Sequence, residues 1–318
     1  MPLGEFELIA KFFTQPVRRA ALGVGDDCAL LRPTSGQQLA VSSDMLVEGR
    51  HFLSTVAPDA LGHKALAVNL SDLAACGAAP LAFTLALALP RADEIFLRDF
   101  SRGLMELAHA FDCELVGGDT TQGPLTICIS VFGEVPTGQA LLRSAARAGD
   151  ALYVSGTVGD ARLALECFRG NVALAGDGLS AVRRAMERPE PRVALGVALR
   201  GIATSAIDVS DGLLGDLGHI LRASGVGATV HADALPRSAV LAAQLSAVQR
   251  ECTLAGGDDY ELLFTAPVAR GADVQAAARQ ASVAVTRIGL IEATPGLRLL
   301  DAHAHPIAQN FAGFDHFR

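Results

Sequence analysis

The chain has 318 residues, 50% hydrophobic and 19% charged, which supplies enough apolar side chain for two domains of ordinary size and excludes a disordered chain. A net charge of −8, with no basic cluster beyond pairs such as Arg18-Arg19 and Arg183-Arg184, disfavours a nucleic-acid surface, which needs a concentrated basic footprint. The six Cys include no Cys-x-x-Cys pair and sit mostly in apolar company, which points to a reducing compartment in place of a disulfide framework.

The N-terminus lacks the cationic start of a signal peptide. The longest apolar run, Leu81 to Leu89, lies between two prolines and falls short of the roughly 20 residues a membrane helix needs. A soluble cytoplasmic enzyme is expected, with no nucleic-acid or membrane partner.

Along the chain, Gly4 to Phe13 reads as a short helix and Leu39 to Ser43 as a strand ending at Asp44. Pro58 opens a helix running to Cys76, since proline suits a first turn and Gly77 suits the end. Leu81 to Leu89 is a strand, Glu94 to Phe111 an amphipathic helix, and Cys113 to Val116 and Leu125 to Val135 are strands flanking a Gly117-Gly118-Asp119 loop. The polar stretch Pro136 to Gly149 marks a domain boundary, giving domains 1–137 and 138–318. Beyond it, Ala151 to Ser155, Ala206 to Val209, Tyr260 to Thr265, Val283 to Ile291 and Leu297 to Leu300 read as strands. Helical patterns cover Asp160 to Phe168, Leu179 to Glu187, Arg192 to Ile202, Leu213 to Ala223 and Asp273 to Ala281. The alternation predicts two α/β domains.

Six short acidic motifs recur on this frame: Gly25-Asp26-Asp27-Cys28, Ser42-Ser43-Asp44, Asn69-Leu70-Ser71-Asp72, Gly117-Gly118-Asp119-Thr120-Thr121, Asp208-Val209-Ser210-Asp211-Gly212 and Gly256-Gly257-Asp258-Asp259-Tyr260-Glu261. Carboxylates beside Gly, Ser and Thr suit hard cations and close phosphate approach, so the set reads as a Mg²⁺–nucleotide site built from separate segments. Asp72 sits late in its helix, where a carboxylate opposes the dipole, and shares an otherwise apolar face with Asn69. A buried Asn/Asp tether is the alternative. Asp208 ends an apolar strand and Asp211 is expected to start the next helix, whose amides favour an anion. An N-cap explains Asp211 but not Asp208. Asp26-Asp27, Ser42-Ser43-Asp44 and the Gly117 motif are, taken singly, also readable as plain turns. No P-loop, third dinucleotide-fingerprint glycine or protein-kinase signature is present.

The motifs, in this order, resemble the thiamine-monophosphate kinase family, within the superfamily of aminoimidazole ribonucleotide synthetase and selenophosphate synthetase. The resemblance extends from Gly4-Glu5-Phe6 through Gly49-Arg50-His51-Phe52 and Lys64-Ala65-Leu66-Ala67-Val68-Asn69 to Gly313-Phe314-Asp315-His316-Phe317, essentially the whole chain. It implies a two-domain α/β (α+β) fold whose N-terminal sheets pair across a homodimer, and ATP-dependent phosphorylation of thiamine monophosphate. It implies several Mg²⁺ ions, with K⁺ a further candidate, held by Asp27, Ser42, Ser43, Asp44, Asp72, Asp119, Asp208 and Asp211, of which Asp72, Asp208 and Asp211 lie closest to the chemistry. It implies ATP contacts from Gly118, Asp119, Arg143 and Ser210, and substrate contacts from His51, Asp258 and Phe314. Three features depart from the family pattern: Asp258 stands where Glu is common, Phe314 where Tyr or Trp is common, and the 143–150 segment lacks a glycine and a proline. Sibling enzymes of the superfamily and a non-catalytic binding sensor are the competing readings.

Overall fold

Residues 37–47 alternate, with Ser42, Asp44 and Leu46 on one side of the strand and Val41, Ser43 and Met45 on the other, the period of two that a half-covered strand requires. In the computed structural model, which describes residues 4–308 and 311, this strand belongs to the first of two units. Met1–Leu73 and Ala78–Gly138 form one unit, and Ala74–Gly77 and Gln139–Arg318 the other.

The first unit contains α1 (Glu5–Phe12), β1 (Gln37–Val47), α2 (Pro58–Ala75), β2 (Ala79–Leu89), α3 (Glu94–Ala110), β3 (Glu114–Gln122) and β4 (Thr126–Pro136). The strands form a four-stranded sheet in the order β1-β4-β2-β3, antiparallel except for β2 and β3. Helix α2 buries Leu61, Leu66, Leu70 and Leu73 almost completely, together with the polar Lys64, Asn69 and Ser71. It meets α3 at two glycines. A Cβ on Gly62 would strike the Phe100 carbonyl, and one on Gly103 the Asp59 carbonyl, so the backbones approach as only glycine permits. Helix α3 is opened by Asp93, whose carboxylate accepts from the Ile95 and Phe96 amides.

The second unit contains β5 (Asp150–Ser155), α4 (Asp160–Phe168), α5 (Gly176–Glu187), α6 (Val193–Ala198), β6 (Ser205–Asp208), α7 (Leu213–Ser224), β7 (Gly227–His231), α8 (Ala239–Ala242), α9 (Ser246–Ala255), β8 (Leu262–Pro267), α10 (Gly271–Gln280), β9 (Val285–Glu292) and β10 (Gly296–Leu300). Its six-stranded sheet runs β10-β7-β9-β5-β8-β6 and is antiparallel except for β7 and β10. Leu213, Leu217 and Ile220 of α7 join Val154, Ile207, Val230, Leu263 and Ile288 of the sheet in one core. Among the described residues, no helix is long and apolar enough to cross a membrane.

The structure corrects several sequence expectations. Ser42-Ser43-Asp44 does not end its strand: the ladder with β4 continues to Val47, placing Asp44 opposite Ile129. Gly117-Gly118-Asp119 is no loop, because β3 runs through it beside β2 after a bulge at Phe83/Thr84. Asp211 does not start α7; Gly212 is the cap residue and Leu213 the first helical one. The strand expected from Tyr260 begins at Leu262, since Asp258 and Tyr260 have φ of +70° and +53°. Helix α6 is six residues long, starting just after Arg192. Strand β7 and helix α9 were absent from the pattern: β7 is five residues long and owes its place to partners on both edges.

Candidate active site

In the first unit the acidic residues stand on opposite rows of the sheet. Ser42 Oγ donates to Asp72 Oδ2 at 2.5 Å, which turns the Ser42 row toward α2. The Asp44 amide donates to Asn69 Oδ1 at 3.1 Å, and Asn69 in turn donates to the Ala65 carbonyl. Asn69 and Asp72 therefore both reach β1, as two residues three apart on one helix face can. The opposite row holds Ser43, whose Oγ lies 3.0 Å from Ser130 Oγ. Register places Asp119 in this second row, level with Ala86, Cys128 and Met45. Gly118 has φ of +148° and lies so close to β2 that a Cβ would collide with the Leu85 carbonyl.

Asp27 lies on an exposed loop closed by the Leu22–Leu30 bridge, with Gly25 at φ +123°. Its amide donates to Asp26 Oδ1 at 2.8 Å. Two glutamates fasten the ends of this segment. Glu114 accepts the amides of Arg18, Arg19 and Ala20, and Glu134 accepts the amide and hydroxyl of Thr34. Burial alone would raise the Glu114 carboxyl, but the three amides and Arg18 outweigh it and hold it below the ordinary carboxylate range. His51 Nδ1 accepts the Val47 amide at 3.0 Å, which puts the neutral ring's proton on Nε2.

In the second unit, Asp208 is the last residue of β6 and is 4% exposed. The segment after it is joined to residues 256–261 by backbone hydrogen bonds. The Asp258 amide donates to the Ser210 carbonyl, the Tyr260 amide to the Val209 carbonyl, and the Val209 amide to the Glu261 carbonyl, each at 2.8 Å. Gly257 permits this contact, since a Cβ would meet the Ser210 carbonyl. Sequence reasoning missed the carboxylate beneath the turn. Asp216, 2% exposed, takes the amides of both Ser210 and Asp211 on one oxygen at 3.1 Å. Burial, then the Asp211 charge, push its carboxyl up to about 7 against the pull of those amides. The Ser210 and Asp211 amides, which precede helix α7, are thus turned to the protein's own acid. Arg143 is exposed, and its carbonyl accepts from Ser224 Oγ at 3.2 Å. Burial, then Arg222 and Arg143, hold the His219 imidazole below its usual range while Asp211 opposes them.

Asp259 and Glu261 were also missed as anchors. Both Asp259 oxygens accept the Gly159 amide, at 3.0 and 2.9 Å. Burial of this carboxyl, with Glu261, Asp160 and Asp258 nearby, drives it well above the ordinary range. Phe314 lies outside the described residues. Among the described residues, no group of three or more His, Cys, Asp or Glu stands assembled to hold a metal ion. The donors the sequence singled out are carboxylate and hydroxyl oxygens, the set that Mg²⁺ prefers over softer metals.

Known proteins share this plan. The sequence model for the AIR synthase related protein N-terminal domain matches residues 25–135, and that for the C-terminal domain matches residues 147–301. A thiamine-monophosphate kinase of Salmonella typhimurium is 45% identical over 325 residues, covering 100% of this chain and 99% of the relative. Its counterpart in Haemophilus influenzae is 41% identical over 327 residues, with the same coverage. The crystal structure of thiamine-monophosphate kinase from Stenotrophomonas maltophilia superimposes with a TM-score of 0.84 at 44% identity, over 88% of this chain and 91% of that one. AaThiL complexed with AMPPCP and TMP superimposes with a TM-score of 0.76 at 29% identity, over 90% of this chain and 89% of that one. With both domain families matched and full-length identity well above 30%, the chain belongs to the thiamine-monophosphate kinase family of enzymes, built from the paired AIR synthase related domains.

Proposed function

We propose that this chain transfers the γ-phosphoryl group of ATP to thiamine monophosphate, giving thiamine diphosphate. The observation that carries this reading is the 45% identity to a thiamine-monophosphate kinase over the full chain. The neighbour solved with AMPPCP and TMP supports a nucleotide and a second ligand on the same fold. Asp27, Ser42, Ser43, Asp44, Asp72, Asp119, Asp208 and Asp211 are the oxygen donors assigned to Mg²⁺. Gly118, Asp119, Arg143 and Ser210 are assigned to ATP, and His51, Asp258 and Phe314 to the acceptor. Residues 1–137 then carry nucleotide, metal and dimer contacts, and 138–318 complete the phosphate and acceptor contacts.

Transfer is direct and in line, without a phosphoenzyme. A phosphomonoester has a second pKa of about 6, so the acceptor oxygen is already largely ionised near neutral pH and needs no strong general base. What it needs is placement. Arg143 carries a planar donor fork suited to a phosphate, and Gly118 and His51 are assigned to the nucleotide and the acceptor. Mg²⁺, when bound, supplies the charge neutralisation that two approaching phosphates require.

Incubation of the protein with Mg-ATP and thiamine monophosphate should yield thiamine diphosphate by mass, with inversion at a chiral, isotopically labelled γ-phosphorus. No product, or net retention, overturns the activity or the direct mechanism respectively. A homodimer through the first sheet completes the reading. Its support is the outward row of that sheet, where Val41 and Met45 are 61% and 54% exposed beside Cys128, Ser130 and Ala86. Light scattering at micromolar concentration should give twice the chain mass, and a monomer overturns the dimer.

A further inference from the structure

The segment Gly256–Glu261 adopts a conformation that its own sequence does not favour. Asp258 and Tyr260 both occupy the left-handed region, at φ +70° and +53°, where a residue with a Cβ costs free energy. Such a conformation persists only where the surroundings over-determine it. The backbone bonds to Val209 and Ser210 are part of that restraint. The rest is a buried ion pair one residue past the strained stretch.

Glu261 is 4% exposed, and both its oxygens are engaged by the Arg192 guanidinium: Nε donates to Oε2 at 2.7 Å and Nη2 to Oε1 at 2.5 Å. This two-point fork fixes a carboxylate in direction as well as position, which a lysine cannot do. Ser155 Oγ donates to Glu261 Oε2 at 2.5 Å and accepts the Leu262 amide at 2.8 Å, tying the same carboxylate to the first residue of β8. Gly156, at φ +55°, leaves the space, because a Cβ there would overlap the Glu261 carboxylate. Arg192 is itself held by Glu190, through Nη1 at 3.1 Å. Asp259 and Glu261 are thus spent on anchors, while Asp258, the residue before them, is tied by its amide to the Ser210 carbonyl.

We infer that Arg192, acting through Glu261 and Ser155, is a positioning residue that sets the Gly256–Glu261 backbone and so presents Asp258 to the acceptor substrate. This rests on the assignment of Asp258 to the acceptor. Burial of an ion pair by itself contributes little net stability, because desolvation offsets attraction, whereas a fork that fixes geometry alters how a neighbouring side chain meets a ligand.

The test is Arg192→Lys, alone and combined with Asp258→Asn. The expected result is a rise of about tenfold in KM for thiamine monophosphate, with KM for ATP within about twofold of wild type. In the Asp258→Asn background the lysine should add less than about twofold, since the residue it positions is already gone. Equal rises in both KM values, or effects that multiply in the double variant, overturn the inference. Hydrogen–deuterium exchange gives a readout independent of turnover. Amides 258–262 should exchange about tenfold faster in Arg192→Lys while the rest of the chain is unchanged. A uniform increase overturns the inference even if the wild-type protein makes no thiamine diphosphate, and a wild type without turnover removes the proposed function alone. Should Arg192→Lys not fold, Glu261→Gln is read in the same way. If neither variant folds, the pair serves only to hold the fold together and the positioning role is overturned.

Discussion

The two units present their acidic residues by different means. In the first, Ser42, Asp44 and Asp119 stand within strands whose backbones are paired on neighbouring ladders, so their direction follows from alternation and register. In the second, Asp208 is the last residue of its strand, and Asp211 and Asp258 lie outside the strands, held by backbone bonds between two loops and by the buried anchors Asp216, Asp259 and Glu261. On a strand face the ladder bonds are made by the backbone and do not involve the carboxylate. A carboxylate that accepts backbone amides is part of the fold. The difference separates acids assigned to a ligand from acids that hold the frame.

The strongest break of this comparison comes from removing charge at the assigned ligands. Asp72→Asn and Asp208→Asn should each lower kcat by about 10²–10³-fold, as losing one stabilising contact to a developing charge does, with thermal unfolding changed by only a few degrees. Unfolding of either variant, or near wild-type turnover at saturating Mg²⁺, would move that residue from the first kind of acid to the second.

A smaller effect is expected on stability, at the glycines that let backbones touch. Gly118→Ala forces a side chain into φ +148° and against the Leu85 carbonyl, and should cost about 2–3 kcal/mol in urea unfolding. Gly257→Ala meets the Ser210 carbonyl without a positive φ and should cost less. The reverse order would show that the loop contact in the second unit is the tighter of the two.

The smallest effect concerns Glu114, an acid of the first unit that, like those of the second, accepts backbone amides. Its folded carboxyl lies below its ordinary value of 4.5, so its contribution is complete above that value and is lost as pH falls through the folded value. Glu114→Gln should cost about 1–2 kcal/mol at pH 7, with the gap to wild type closing as pH falls below the ordinary value of 4.5 and through the folded one. A gap that is constant with pH would show that the amide–carboxylate bonds to residues 18–20 carry no charge-dependent stabilisation.

Much of the frame is legible in the residues. Helix α4 coincides with the expected Asp160 to Phe168, and α2 starts at Pro58 and carries Asp72 near its end, because proline, glycine and periodic apolar residues act over a few positions. The family, and with it the two-domain α/β architecture, follows from six motifs in fixed order. The strands through Asp44 and Asp119 were drawn too short because Ser, Gly, Asp and Thr resemble turn residues, and only pairing with β4 and β2 extends them.

What the sequence alone determined is therefore the list of chemistry-bearing residues and the local elements that carry them. Only the tertiary structure decided which acid does what. Ser42 turns to Asp72 while Asp119 falls in the opposite row, because register between strands is a long-range choice. Asp216 carried no signal in the sequence, and Asp259 and Glu261 stand in a motif that reads like a ligand set, yet the three bind amides and a guanidinium, because their partners Ser210, Gly159 and Arg192 stand 6, 100 and 69 residues away, and burial leaves those acids no solvent to turn to.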